Sequence, residues 1–166
     1  MAYMVWSDSL DTGINVIDKQ HRRIVEYINA LYDAYEAGEK EGAMPVLDRL
    51  IHYTMTHFAF EEGVMEEGGY PYLKAHRRVH QLFTKKVGEY LERANKGEDV
   101  TLALLEMLKR WLVGHIKNDD ADYVESARQV GRIQAVEAGQ VSKPLLPKAP
   151  LPQSATFADA VRRLFA

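Results

Sequence analysis

Between residues 57 and 80 the chain reads HFAFEEGVMEEGGYPYLKAHRRVH, which holds three of its six histidines and two pairs of adjacent glutamates. Imidazole nitrogens and carboxylate oxygens are metal donors. His57 and Glu61 stand at i, i+4, and so do His76 and His80. On a helix that interval stacks two side chains on one face, able to hold one ion or two adjacent ions. Glu62 is turned about 100° from Glu61, so Glu61 is the expected donor. A lone His-x-x-x-His is a weak signal. Here it meets a second chelating pair and two further histidines, His21 and His115.

Such side chains converge only if helices bring them together, and the chain carries four helical patterns. The first runs from about Asp18 to Glu36, with a stripe of Ile17, His21, Ile24, Ile28, Leu31 and Tyr35 at the spacing of one helix face. The second runs from about Ala43 to Glu66, with Leu47, Leu50, Thr54, His57, Glu61 and Val64 or Met65 in line, and ends at Gly68-Gly69-Tyr70-Pro71. The third runs from about Pro71 to Asn95 through Leu73, His76, His80, Phe83, Val87 and Tyr90. The fourth starts near Asp99, a suitable N-cap, and carries Leu104 or Leu105, Leu108, Trp111 or Leu112, and His115. Residues 1–16 read as an irregular arm bearing Trp6, and residues 121–139 still look helical, with Val124, Ala127, Val130 and Ile133 free to pack. With no strand pattern, the expected fold is all-α, an antiparallel up-down-up-down four-helix bundle with an extended C-terminal helix and a tail. The expected division is a bundle over 1–138 and an appendage over 139–166.

Five histidines therefore occupy stripe positions that face the core. One such histidine is ordinarily a core residue with a satisfied hydrogen bond. Five, from all four helices, each need a partner or cost roughly a few kcal/mol, and a shared metal would serve them all. His52 lies about 140° around the helix from His57 and is expected at the surface or boundary. Asp120 follows His115 by five residues, so a regular helix would not point both inward. The chain is expected to bend at Asn118-Asp119-Asp120, or Asp120 to reach back from the next turn. Spacing leaves both Asp119 and Asp120 as candidates.

Composition narrows the rest. The chain has 166 residues, 46% of them apolar, and no cysteine, which excludes disulfides, thiolate metal sites and iron–sulfur clusters. The net charge of −3, with its basic residues scattered, argues against a nucleic-acid partner. No signal peptide is recognisable in MAYMVWSDSL, and no run approaches the ~18 apolar residues of a membrane span. A cytoplasmic location is expected.

Several segments resemble the hemerythrin family in its bacterial single-domain form: W-S-D near the start, I-D-K-Q-H ending at His21, H-F-A-F-E-E from His57, Y-P-Y-L-K-A-H-R-R-V-H, and W-L-V-G-H-I-K-N-D-D-A-D-Y. The resemblance spans roughly residues 5–125. It implies reversible O2 binding, without enzymatic turnover, at two non-haem irons per chain joined by an oxo or hydroxo bridge. The implied ligands are His21, His57, Glu61, His76, His80, His115 and Asp120; the family pattern selects Asp120 over Asp119. It also places His76, His80 and His115 on one iron and His21 and His57 on the other. With two bridging carboxylates and the oxo bridge, one coordination position stays open, on the iron with two histidines. Leu112, Ile24, Phe58, Ile116 and Trp111 are the expected O2-pocket residues, with Leu112 foremost. Val79 departs from the family pattern, where many relatives carry an acid. O2 is the expected ligand, an O2-consuming protein the expected recipient, and a monomer the expected state. The alternative is a di-iron enzyme or sensor handling O2, peroxide or nitric oxide.

The tail lies outside the resemblance. SKPLLPKAPLPQ (142–153) holds four prolines and cannot be helix interior. In TFADAVRRLFA, Phe157, Ala160, Val161, Leu164 and Phe165 share one helical face, on a helix too short to stand alone. The linker, at about 3.1 Å per residue when extended, can return along the bundle, and docking there is expected ahead of the two alternatives, a frayed terminus and a helix that binds a partner. Truncation after Gly139 should then leave iron content unchanged but alter autoxidation or O2 release. A truncated protein equal to the full chain in both rates and in thermal stability would rule out self-docking.

Overall fold

The computed structural model describes residues 2–38 and 40–140. The proline-rich linker and the amphipathic helix expected over 142–166 lie outside the described residues.

The chain is all-α. The helices are α1 (Asn15–Glu36), α2 (Lys40–Glu67), α3 (Leu73–Asn95), α4 (Thr101–Gly114), α5 (Ala121–Arg128) and α6 (Gly131–Glu137). A 3₁₀ turn at Asp8–Leu10 precedes α1, and a π-helical segment at His115–Asp120 joins α4 to α5. The first four form the bundle: α1 packs on α2 and α4, and α3 closes the ring between α2 and α4. Among the described residues there is no strand, and no helix is long and apolar enough to cross a membrane.

The apolar stripes account for the burial. Ile17, His21, Ile24, Ile28 and Leu31 of α1 are buried, as are Leu47, Leu50, Thr54, His57, Glu61, Val64 and Met65 of α2. Tyr35 is only half-buried. Each fully buried Leu or Ile contributes about 1.5–3 kcal/mol. These side chains form two separate apolar clusters. One contains Ile24, Ile28, Leu50, Phe58, Phe83, Leu108, Leu112 and Ile116. The other contains Ile14, Ile17, Phe60, Val64, Met65, Tyr123, Ala127, Val130 and Ile133. Each of the four long helical runs passes from one cluster to the other through the turn that carries its histidine.

Three expectations need correction. The helix after Asp120 does not run on: extended backbone at Val130 (ψ 123°) divides it into α5 and α6, and the resulting corner lets Ala127, Val130 and Ile133 all reach the second cluster. The third helix starts at Leu73, leaving Pro71 in the preceding turn. Asp99 is not the N-cap, which is Val100; its Oδ1 instead accepts the Thr101 N–H at 3.3 Å.

The arm is fastened by hydrogen bonds. Met4 and Asn29 exchange two of them, at 2.8 and 2.9 Å. Buried Asp18 accepts from Thr12 N–H, Thr12 O–H and Gly13 N–H at 2.8, 2.7 and 3.1 Å. Trp6 lies over His21, with 6.4 Å between ring centroids.

The α2–α3 turn packs against α5 with no space to spare. A Cβ on Gly68 would stand 2.5 Å from the Ser126 carbonyl oxygen, a backbone atom that cannot rotate away. Gly68→Ala should therefore cost about 1–3 kcal/mol, as overpacking does, and lower Tm by about 2–8 °C. Thermal denaturation followed by circular dichroism measures this directly, and an unchanged Tm would contradict the close approach.

Candidate metal centre

The two apolar clusters leave a polar layer between them. His21 comes from α1, His57 and Glu61 from α2, His76 and His80 from α3, and His115 and Asp120 from the π-helical segment. All seven are buried, with His21, Glu61 and Asp120 at 0% exposure.

The π-helical segment is what admits Asp120. In an α-helix the fifth residue onward lies about 140° round. A π-helical turn takes in an extra residue, so His115 and Asp120 point the same way without the expected bend. Asn118 supports the widened turn by donating to the Gly114 carbonyl at 2.7 Å. Asp119 faces outward and its Oδ2 accepts from His115 Nδ1 at 3.0 Å.

Two groups of donors form. Glu61, His76, His80 and His115 each offer an atom within 4.8 Å of the others, and so do His21, His57 and Glu61. Glu61 belongs to both. Its Oε2 lies 3.5 Å from both His57 Nε2 and His80 Nε2. Asp120 also spans them: Oδ1 stands 3.1 Å from His115 Nε2 and 3.5 Å from His76 Nε2, while Oδ2 stands 3.3 Å from His21 Nε2. His52 is half-buried and joins neither group.

The outward ring nitrogens explain why the inward ones need a cation. His57 Nδ1 donates to Gln20 Oε1 at 2.8 Å, and His80 Nδ1 donates to Glu62 Oε1 at 2.8 Å. With the hydrogen on Nδ1, the neutral ring turns a lone pair inward from Nε2. His80 Nε2 then faces His115 Nε2 at 3.0 Å and His76 Nε2 at 3.1 Å, and while the rings are neutral neither His80 nor His115 has a hydrogen to share there; a cation, whether a proton or a metal, relieves the clash of lone pairs. Among the described residues, the buried side-chain atoms without a hydrogen-bond partner include His21 Nε2, His57 Nε2, Glu61 Oε2 and both Asp120 oxygens. The remaining two, Gln20 Nε2 and His21 Nδ1, belong to α1 residues of the same layer. A set of imidazole and carboxylate donors orphaned around two shared points fits a pair of metal ions.

Without metal, protons compensate the carboxylates. Burial opposes the charge on His21, but Asp120 and Glu61 outweigh it and push its pKa up to about 9. Burial likewise opposes His80, and Glu61 and Glu62 push it up to about 9. Burial drives His57 down to about 3 and His76 down to about 4, aided by the neighbouring imidazoles. Burial also works against the Glu61 charge, but His57, His21 and His80 hold its pKa well below the usual range. Asp120 is pushed up by burial and by Glu61 beside it.

Glu62, Asp119, Gln20 and Tyr123 are contacts that sequence spacing did not single out as partners. Glu62 was expected to be turned about 100° from Glu61; it points toward α3, where it meets His80 Nδ1 at 2.8 Å and Arg77 Nε at 3.1 Å. Tyr123 is fully buried and its hydroxyl donates to Glu61 Oε1. Standing three residues after Asp120, it shares that face, a signal the sequence did carry. Of the expected pocket residues, Phe58 stacks on His80 at 3.7 Å and Trp111 on His115 at 4.2 Å. Leu112, Ile24 and Ile116 are buried in the same cluster as Phe58, with Trp111 packed against it.

Comparison with known proteins gives a consistent picture. The family described as hemerythrin HHE cation binding domain matches residues 12–127. The bacteriohemerythrin of Pseudomonas paraeruginosa is 51% identical over 128 residues, covering 77% of this chain and 84% of that protein. The bacteriohemerythrin of Methylococcus capsulatus is 30% identical over 125 residues, covering 74% and 95% respectively. A crystal structure of a hemerythrin mutant, 28% identical, aligns with a TM-score of 0.71 over 76% of this chain and 98% of its own.

Because His21 and His80 hold protons up to about pH 9, metal must displace both. Binding of divalent metal to the metal-free protein at pH 7 should release about two protons per chain, and affinity should fall as pH drops below 9. Calorimetry in buffers of differing ionisation enthalpy counts the protons; release near zero would contradict the proton-compensated layer.

Proposed function

Because the chain belongs to the hemerythrin family, we propose that it binds O2 reversibly at a non-haem di-iron centre held by His21, His57, Glu61, His76, His80, His115 and Asp120. The observation that carries this reading is the set of orphaned inward donors shared between two groups. When bound, the iron pair supplies the electrons that O2 takes up on binding and returns on release.

The protein's share of the work is holding, insulating and selecting. His76, His80 and His115 would hold one ion and His21 and His57 the other, with Glu61 and Asp120 spanning both. The open position would then fall on the His21–His57 side. Five imidazoles against two carboxylates is a neutral-rich donor set. The carboxylate-rich sets of ferritin-like di-iron proteins, built on Glu and Glu-x-x-His, stabilise higher oxidation states. Imidazoles favour the ferrous state and so favour release over O–O cleavage, which supports a carrier over an enzyme. Leu112, Ile24, Phe58, Ile116 and Trp111 would form the apolar wall that keeps water and protons from the bound gas.

In this reading residues 1–138 are the O2-binding domain, and the protein is a monomeric cytoplasmic store or carrier serving an O2-consuming recipient. The direct test is the visible spectrum of iron-loaded protein, reduced and then exposed to air. A band that appears with O2 and vanishes under vacuum supports a carrier; irreversible bleaching or product formation supports the enzymatic alternative.

His57→Ala and His76→Ala should fail differently. Loss of His57 opens a second position beside the O2 site, and autoxidation should rise even where iron is retained. Loss of His76 breaks the i, i+4 chelate and should cost iron itself. Equal iron content and equal autoxidation in the two variants would contradict the division into three histidines and two.

A further inference from the structure

The outward partners of the histidines are not alike. In the group containing His76, His80 and His115, two imidazoles donate from Nδ1 to carboxylates: His80 to Glu62 at 2.8 Å and His115 to Asp119 at 3.0 Å. In the other group, His57 donates to the neutral amide of Gln20 at 2.8 Å, and His21 Nδ1 has no partner among the described residues. Gln20 is 4% exposed. Among the described residues its amide nitrogen meets no acceptor, and its one side-chain hydrogen bond is with His57.

An imidazole whose far nitrogen donates to a carboxylate is a stronger metal donor than one whose far nitrogen meets an amide or nothing. The carboxylate draws the Nδ1 proton toward itself and leaves more electron density on Nε2. The three-histidine position thus has more imidazoles, and two of its three, His80 and His115, are backed by carboxylates, whereas neither histidine of the other position is. Gln20 stands one residue before His21 and reaches across to α2, so a single α1 position governs the His57 ring without being a ligand.

We propose that Gln20 keeps the His21–His57 position the weaker of the two metal positions, so that it fills second and empties first. The inference rests on the two-metal reading above and deepens it. A positioning residue with a neutral acceptor orients His57 while leaving its metal less electron-rich. A less electron-rich metal at that position would favour the ferrous state. Glutamate there would orient the ring equally well and remove the difference.

The experiment uses the metal-free full-length chain and cobalt(II) as the probe, titrated without O2 and read by ligand-field absorption and by competition with a chelator. Wild type should show two steps, the second the weaker. Gln20→Glu should strengthen the second step by about 10–100-fold, the range for such outer partners, and leave the first unchanged. Gln20→Met keeps the bulk, removes the acceptor and introduces no buried charge, and should weaken the second step alone. If neither variant moves the second step, or if both move the first, the proposal is overturned while the two-metal reading stands. If wild type takes up one cobalt only, the two-metal reading falls and this proposal with it.

Discussion

The structure depends on one electrostatic constraint: two carboxylates, Glu61 and Asp120, are buried at 0% exposure in the middle of a helical bundle. An unpaired buried charge costs several kcal/mol even after relaxation. Five imidazoles surround the pair, yet three of them, His57, His80 and His115, commit their outward nitrogens, and several inward atoms have no hydrogen-bond partner among the described residues. Positive charge must enter the layer as protons or as metal. Raised pKa values at His21 and His80, one in each donor group, mark where it would go.

Other features follow from keeping that layer in place. Apolar clusters above and below it fix the height of each helix, since a slip by one turn would carry a histidine into one cluster and an isoleucine or phenylalanine into the layer. The π-helical segment brings the second carboxylate inward on the same strand of chain as His115. Tyr123, placed by the start of α5, closes the layer from below by holding Glu61 Oε1. On the C-terminal side, α6 is tied back to α2 by Arg132, which meets Glu67 at 3.0 Å and lies over the Phe60 ring.

The bundle was legible in the sequence because its stripes obey one period, and six of the inward donors were legible because they sit on those stripes; Asp120 does not, and only the family resemblance selected it over Asp119. What periodicity could not supply are contacts made sideways. Glu62 is off the α2 stripe, and only the approach of α3 turns it into the His80 partner. Gln20 is adjacent to a stripe residue, and only the pairing of α1 with α2 brings it to His57. The π-helical segment was hidden for another reason: a period-3.6 reading assumes the helix it measures, so an aspartate at i+5 looks like a break. The corner at Val130 has the same origin, since residues 121–138 alternate apolar and polar well enough to suit one continuous helix.

The proposed function requires two irons in this layer, one per donor group. Anomalous diffraction from crystals of the protein, recorded on both sides of the iron absorption edge, tests it most directly. Two peaks per chain are expected, one bonded to His76, His80 and His115, the other to His21 and His57, with Glu61 and Asp120 reaching both. A single peak, or peaks that persist unchanged below the iron edge, would contradict it.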